Sequence, residues 1–224
     1  MNNLGIDHSF KSNIINIAKR MNEEGINQGM SGNISLRVEK GILITPSSVP
    51  YKELKSSDIL LIDFDGILID EEEKSPKGRR PSSEWKLHAD ILKRRQDINS
   101  VLHCHSINAT AIACHRLSIP SFHYMTAIAG GDDIRCADYA TFGTTKLSHN
   151  ALLALKGRHA CLLANHGQIT TGKTLEQAFD LAIEIETLAH MYIQSRQLGE
   201  PQHLSKEEMN NILFRFDQLK YKYK

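Results

Sequence analysis

Two histidines separated by a single residue are the strongest indication of chemistry in this sequence. His103 and His105 lie in the run SVLHCH at residues 100–105, which predicts a β-strand. Residues two apart on a strand point to the same face of a sheet, so both imidazoles can reach one ion. Imidazole nitrogen is a favoured ligand of zinc and of similar metals, although an H-x-H pair also occurs as two ordinary polar residues.

A metal site needs a third ligand, and His166 is the candidate. It follows a second apolar run, residues 161–164, and precedes Gly167, which adds no bulk beside the imidazole. A histidine at a strand end is also often a hydrogen-bonded structural residue, which is the alternative interpretation. Three histidine ligands would leave a fourth position for water, substrate or a carboxylate, an arrangement typical of catalytic zinc.

Glu84 is the candidate carboxylate, because it follows Pro81-Ser82-Ser83 at the predicted start of a helix. Hydroxyl and backbone N–H groups at a helix start can accept a phosphate. The simpler interpretation is that the serines cap the helix and that Glu84 interacts with the helix dipole. Two further loops of small polar residues could hold an anion or form ordinary turns. They are Ser31-Gly32-Asn33 and Thr45-Pro46-Ser47-Ser48.

The elements that must position these residues alternate along the chain. Apolar periodicity and end signals predict helices at residues 9–24, 81–95, 108–115, 146–155, 174–198 and from residue 205 onward. Strands are predicted as two hairpins, at residues 34–38 with 42–45 and 59–63 with 67–70, and singly at 100–105 and 161–164. Residues 70–80, acidic and then basic, predict a solvated loop. Hairpins followed by alternating helices and strands indicate an α/β sandwich with a substantially antiparallel sheet.

The composition argues against several classes of protein. The chain has 224 residues, and its 27 basic and 26 acidic residues give a net charge of +1, which argues against a nucleic-acid surface. No apolar run is long enough to span a membrane, and the N-terminus lacks the pattern of a signal peptide. Four cysteines without C-x-x-C spacing indicate neither a thiolate metal site nor a redox pair. We therefore expect one domain over residues 1–224, a cytoplasmic location, and no nucleic-acid or membrane partner.

Seven motifs, taken together and in order, closely resemble the class II aldolase/epimerase family over nearly the whole chain. They are NQGMSGNISLR, ILITPSSVPY, PSSEW, VLHCHSINATAIA, IPSFHYMTAIAGGDDI, YATFGT and LLANHGQI. The resemblance implies a three-layer α/β/α sandwich with a mainly antiparallel central sheet. It also implies a homotetramer whose active site lies at the subunit interface.

The resemblance assigns residues to the site. It implies one zinc ion per subunit, held by His103, His105 and His166, with Glu84 as the fourth ligand in the resting site. The implied cradle for the substrate phosphate consists of Gly32, Asn33, Ser47, Ser48, Ser82 and Ser83. Aldolases of the family typically have Thr-Gly where this chain has two serines, so the second serine would tighten the pocket if that position needs a positive φ.

Aromatic residues complete the implied site. Tyr124 and Phe142 match aromatics that the family places at the site from a neighbouring subunit. The family also uses a tyrosine near its C-terminus, for which Tyr221 and Tyr223 are the two candidates in this chain.

The resemblance implies the reversible cleavage of a phosphorylated ketose, with L-fuculose 1-phosphate as the main expectation. The products would be dihydroxyacetone phosphate and a small aldehyde such as L-lactaldehyde. Glu84 would carry the proton to and from the enediolate carbon, and Tyr124 would serve the substrate hydroxyl that becomes the aldehyde.

This chain also resembles proteins with four alternative functions. Two are aldolases or dehydratases acting on 5-deoxyribulose 1-phosphate or methylthioribulose 1-phosphate. A pentulose-phosphate 4-epimerase is less favoured, because the family gives it an aspartate where this chain has Glu84. An assembly module like the adducin head is disfavoured by the presence of all four metal ligands.

The other histidines receive no role in the chemistry. His123 could line the site or pack beside its neighbour Tyr124. The rest are expected to be surface residues or hydrogen-bonded core residues, namely His8, His88, His115, His149, His159, His190 and His203.

Overall fold

The computed structural model describes residues 4–69 and 78–218, with side chains from residue 9 onward. Most of the predicted loop at 70–80 lies outside these ranges, as do the two candidate tyrosines near the C-terminus. Within the described ranges, no helix is both long enough and apolar enough to cross a membrane.

Six helices and seven strands follow one another in the described chain. The helices are α1 (Leu4–Glu23), α2 (Trp85–Arg94), α3 (Ile107–Cys114), α4 (Thr145–Ala154), α5 (Leu175–Gln197) and α6 (Lys206–Gln218). The strands are β1 (Asn33–Val38), β2 (Gly41–Ile44), β3 (Leu60–Ile62), β4 (Ser100–Cys104), β5 (Cys136–Ala137), β6 (Ala160–Leu163) and β7 (Gly167–Gly172). Short 3-10 helices lie at Tyr51–Glu53, Ser56–Asp58 and Tyr124–Ala129.

All seven strands form one sheet in the order β3-β2-β1-β4-β7-β6-β5. Neighbouring strands run antiparallel throughout, except for the parallel pair β5 and β6. Helices α1, α3 and α5 cover one face of the sheet, and α2 and α4 cover the other. The predicted α/β/α sandwich with a mainly antiparallel sheet is therefore confirmed.

The period-two alternation of the strands divides the core between the two faces of the sheet. On β2, Leu43 packs with α1 and α5, whereas Ile42 and Ile44 pack with α2. On β4, Leu102 faces α1 and α5, and Val101 faces α2. Since alternate residues share a face, His103 lies on the same side of the sheet as Val101 and therefore on the side that α2 covers.

Strand β7 is the main element that the sequence does not predict. Its sequence GQITTG lacks an apolar run, yet all six of its residues are buried in the middle of the sheet. The polar side chains find partners on α5, because Thr170 Oγ1 donates to the Ala178 carbonyl (2.7 Å) and Gln168 Nε2 donates to the Ala182 carbonyl (3.1 Å). Burial of hydrogen-bonded polar groups explains why hydrophobicity does not reveal this strand.

The second predicted hairpin is only partly present. Its first arm is β3, but its second arm is reduced to a single bridge between Ile62 and Leu68. Strand β5 and the short 3-10 helices were also not predicted. Short elements of this kind carry too few residues for a periodic signal.

Candidate active site

Three histidines converge where β4, β6 and β7 meet. His103 belongs to β4, His105 follows the end of that strand, and His166 lies in the turn between β6 and β7. Because β7 pairs with both β4 and β6, the turn is brought beside the end of β4. The ring centroids lie between 4.6 and 5.1 Å apart, and the possible ligand nitrogens all lie within 4.8 Å of one another. The structure thus brings together the three histidines that the sequence singled out.

Gly167 allows the close approach of this turn. A Cβ atom at Gly167 would lie 2.4 Å from the Cys104 carbonyl oxygen and 3.0 Å from Cδ2 of His105. The approach to the backbone oxygen is too short for any Cβ atom, so the absence of bulk after His166 is a requirement of the packing.

His103 is oriented by a backbone carbonyl. Its Nδ1 lies 2.9 Å from the Gln168 carbonyl oxygen and donates to it, which leaves the Nε2 lone pair directed at the site. Burial lowers the pKa of His103 to about 3, so the imidazole is neutral at neutral pH. A neutral imidazole with a fixed tautomer is the form that binds a metal.

Glu84 lies at the N-terminus of α2 and completes the group. Its Oε2 is 3.3 Å from His103 Nε2, and its Oε1 is 3.5 Å from His166 Nε2. The Oε1 atom is buried and has no hydrogen-bond partner in the described chain. Ligand atoms of a tetrahedral zinc ion lie about 3.4 Å apart, given bonds of about 2.0–2.1 Å. The two distances from Glu84 match this spacing, so Glu84 is placed as a fourth ligand beside the candidate group of three histidines. A divalent metal there would supply the partner that the buried carboxylate oxygen lacks.

The carboxyl of Glu84 favours its charged form. Burial opposes ionisation, but the imidazoles of His103 and His166 and a hydrogen bond from Asn33 outweigh it. The pKa of Glu84 is consequently lower than that of an ordinary glutamate.

Asn33 connects Glu84 to a second buried histidine. Asn33 Nδ2 donates to Glu84 Oε2 (3.0 Å), while Asn33 Oδ1 lies 2.5 Å from His88 Nε2. On the other side of the ring, His88 Nδ1 lies 2.7 Å from Ser35 Oγ. His88 is fully buried, and this burial lowers its pKa to about 4. The expectation of a hydrogen-bonded core histidine thus holds for His88, but its connection to Glu84 was not predicted.

The two serine loops of the predicted phosphate cradle lie side by side. Pro46 and Pro81 form an antiparallel bridge, which brings Ser47-Ser48 next to Ser82-Ser83. The Ser47 N–H donates to the Arg80 carbonyl (2.9 Å) and the Ser82 N–H donates to the Thr45 carbonyl (3.1 Å). These two N–H groups therefore hold the loops together. The Ser82 hydroxyl accepts from the Glu84 N–H (3.3 Å), and the Ser47 hydroxyl lies 3.4 Å from the Ser48 hydroxyl. The hydroxyl hydrogen is the group that Ser47 and Ser82 can still donate to a ligand.

Gly32 lies against the histidine group. It has φ +72°, and a Cβ atom there would lie 2.6 Å from the His103 carbonyl oxygen. A glycine is needed at this position for both reasons. The predicted cradle residue thus adjoins the strand that carries the candidate metal ligands.

Ser48 occupies the left-handed region of backbone conformation, with φ 59°. The position therefore has the positive φ that the family's usual glycine tolerates, and a serine there is strained. The Ser48 side chain is exposed.

Ser48→Gly should leave the free energy of unfolding unchanged or raise it by up to about 1 kcal/mol, since relief of strain opposes the greater entropy of the unfolded chain. Ser48→Val should lower it by more than about 1 kcal/mol, because a β-branched residue is strained at positive φ. Urea denaturation of the three proteins measures both effects. A valine variant as stable as the original chain would contradict the left-handed assignment.

The two predicted aromatic residues are exposed. Tyr124 begins a 3-10 helix with half of its surface exposed, and Phe142 is 63% exposed. Phe142 precedes Gly143, where a Cβ atom would lie 2.9 Å from the Ser83 carbonyl oxygen. The loop that carries Phe142 therefore packs against the serine cradle.

Comparisons with known proteins agree with this fold. The family described as Class II Aldolase and Adducin N-terminal domain matches residues 12–193. The 5-methylthioribulose-1-phosphate/5-deoxyribulose-1-phosphate aldolase of Rhodospirillum rubrum is 46% identical over 208 residues, covering 93% of this chain and 91% of the relative. The L-fuculose phosphate aldolase of Escherichia coli K12 is 44% identical, covering 91% of this chain and 92% of the relative. A solved L-fuculose 1-phosphate aldolase superposes with a TM-score of 0.87 at 38% identity, covering 93% of this chain and 96% of that structure.

The chain therefore belongs to the class II aldolase family and is an aldolase. The predictions of family and of enzyme class are confirmed. Class II aldolases are metal-dependent, and the group of three histidines is the candidate metal site in this chain.

Proposed function

We propose that this protein is a zinc-dependent aldolase that reversibly cleaves a ketose 1-phosphate between C3 and C4. The observation that carries the proposal is the convergence of three histidines on a buried carboxylate with an unpaired oxygen. The names of the relatives support the phosphorylated substrate, since each is an aldolase of a sugar phosphate.

His103, His105 and His166 would hold the ion, with Glu84 as fourth ligand when no substrate is bound. Three neutral nitrogens and one carboxylate are a ligand set that zinc accepts. When bound, the ion would act as a Lewis acid that stabilises the negative charge developing on the ketose oxygens during cleavage.

Glu84 would carry the proton at the carbon that loses the aldehyde. In cleavage it protonates the enediolate carbon, and in condensation it removes a proton from the same carbon. The lowered pKa of Glu84 favours the ionised form, which accepts that proton in condensation. In cleavage the carboxylate must first take up a proton from solvent before it gives one to the carbon. Asn33 would hold one carboxylate oxygen through its side-chain N–H and so fix the orientation of the carboxylate.

The substrate phosphate would bind beside the metal ligands. Hydroxyl groups of the paired serine loops and the small residues after the first helix would hold it through neutral donors, in agreement with the net charge of +1. The proposed phosphate ligands are Gly32, Asn33, Ser47, Ser48, Ser82 and Ser83.

We further propose that a neighbouring subunit of a homotetramer completes the site. The exposure of Tyr124 and Phe142 supports this, because large aromatics on a surface are typical of an interface. Tyr124 would exchange a proton with the C4 hydroxyl that becomes the aldehyde oxygen. Each subunit would be a single domain over residues 1–224. The four free cysteines support a cytoplasmic location.

L-Fuculose 1-phosphate is the proposed substrate, and 5-deoxyribulose 1-phosphate and methylthioribulose 1-phosphate are the second candidates. The second group is favoured by the identity of 46% with the Rhodospirillum rubrum enzyme. Cleavage of all three gives dihydroxyacetone phosphate, so the phosphate cradle and the metal serve them equally. They differ in the aldehyde, which is L-lactaldehyde, acetaldehyde or methylthioacetaldehyde.

A panel of ketose 1-phosphates tests the proposal. The zinc-loaded protein should release dihydroxyacetone phosphate, which is monitored by the oxidation of NADH as a coupling dehydrogenase reduces it. The value of kcat/KM should be highest for L-fuculose 1-phosphate. A higher value for either pentulose derivative would select the second candidate. Loss of water without release of dihydroxyacetone phosphate would indicate a dehydratase, and inversion at C4 would indicate an epimerase.

A further inference from the structure

His88 is fully buried on α2 and has no part in the function proposed so far. It lies four residues after Glu84, so the two side chains occupy the same face of the helix. On β1, Asn33 and Ser35 are two residues apart and share the face that α2 covers, because they pair with His103 and Val101 of β4. One turn of α2 thus lies against the two-residue repeat of β1. Glu84 contacts Asn33, and His88 lies between Asn33 and Ser35.

The direction of the hydrogen bonds in this group is fixed. A neutral imidazole has one N–H donor and one acceptor nitrogen. If His88 Nε2 carries the hydrogen, it donates to Asn33 Oδ1, the amide N–H faces Glu84, and the Ser35 hydroxyl donates to Nδ1. The opposite tautomer would turn Asn33 Oδ1 toward Glu84 Oε2, which places two buried acceptors in contact at considerable cost.

We propose that His88 is a positioning residue for Glu84, acting through Asn33. By donating to Asn33 Oδ1, it holds the amide with its N–H toward the carboxylate, and the carboxylate is thereby aimed at the metal and the substrate carbon. The inference rests on the proposed function of Glu84. Ser35 selects the tautomer of His88 by donating its hydroxyl hydrogen to Nδ1. Ser35, His88, Asn33 and Glu84 thus form a relay of hydrogen bonds that begins at Ser35.

A simple packing role makes a different prediction. If His88 only fills space, the apolar ring in His88→Phe should leave zinc affinity and kcat nearly unchanged, although the stability of the fold can change. If the N–H donor matters, His88→Gln restores function, because the glutamine amide can place a donor near the position of His88 Nε2. The comparison of these two variants therefore separates packing from positioning.

Ser35→Ala and Ser148→Ala form a matched pair for the other end of the relay. Both remove a buried hydroxyl, but that of Ser148 donates to Asp90 Oδ2 (2.6 Å), away from the site. The measurements are the zinc dissociation constant by chelator competition, kcat and KM for the best ketose 1-phosphate, and thermal unfolding. Zinc affinity is a readout that does not depend on turnover.

His88→Phe should lower zinc affinity and kcat by about 10–100-fold, the usual effect of losing a partner of a metal ligand, with a smaller change in KM. His88→Gln should recover most of both values. Ser35→Ala should lower kcat by about 3–10-fold, a fraction of that effect. Ser148→Ala should change neither zinc affinity nor kcat.

Two results would overturn the inference. One is a folded His88→Phe variant with the zinc affinity and kcat of the original chain, and the other is a His88→Gln variant as impaired as His88→Phe. If His88→Phe does not fold, equality of Ser35→Ala with Ser148→Ala in both readouts overturns the inference instead. If no ketose 1-phosphate is cleaved by the original chain, the proposed function fails, but the zinc affinities still decide whether His88 positions Glu84.

Discussion

Glu84→Gln should lower kcat for cleavage by about 1,000-fold while the protein remains folded, within the range of about 10²–10⁴ for loss of a general acid–base group. The glutamine amide keeps the size of the side chain and can still accept the hydrogen bond that Asn33 donates to Oε2. It cannot give a proton to the substrate carbon or take one from it. The variant should also bind zinc less tightly, because it replaces a charged ligand by a neutral one.

The measurement is steady-state cleavage at zinc concentrations that saturate the variant, together with metal content and thermal unfolding. Glu176→Gln is the matched control, since Glu176 lies in the first turn of α5 and contributes to a helix dipole without belonging to the site. If Glu84 only served the dipole of α2, the two variants would behave alike. Full turnover in Glu84→Gln would remove Glu84 from its proposed catalytic role.

Removal of the metal should abolish cleavage, with a loss of at least about 1,000-fold that zinc reverses, because the charge on the substrate oxygens then lacks a Lewis acid. His103→Ala should show the same loss without recovery, since it removes a fully buried member of the candidate metal group. Metal should also raise the thermal unfolding temperature of the original chain, because an ion that binds only the folded state stabilises it.

His159→Ala is the control for this experiment. His159 is a partly buried histidine near Arg95 and outside the candidate metal group, so its loss should leave zinc binding and cleavage intact. Metal content is read by elemental analysis of the purified protein. Activity that survives exhaustive chelation, with less than about one tenth of an ion per chain, would contradict the metal-dependent mechanism.

The parts of the fold and site that depend on local spacing could be predicted from the sequence. The alternation along β4, continued by one residue, places His103 and His105 on one face of the sheet. The periodicity of α2 and α5 marks the buried faces of those helices. The two short apolar runs on either side of residues 39–41 likewise predict the hairpin of β1 and β2. Each of these features is set by residues close in the chain, so the sequence itself shows the periodicity of the side chains.

The parts that depend on which elements meet were decided only by the tertiary structure. His166 joins the other two histidines because β7 lies between β4 and β6, and β7 itself has no apolar pattern to reveal it. Ser48 has a positive φ in a loop whose Pro46 pairs with Pro81, and no local pattern in the sequence predicts that pairing.

The same distinction explains His88. By sequence it is one of several histidines without a role, and only the packing of α2 on β1 places it between Asn33 and Ser35. The sequence by itself determined the kinds of groups available for chemistry and their positions within single elements. The sheet order and the packing of α2 decided which of those groups touch, because contacts between residues 50 or more apart in the chain depend on the whole core and leave no periodic trace.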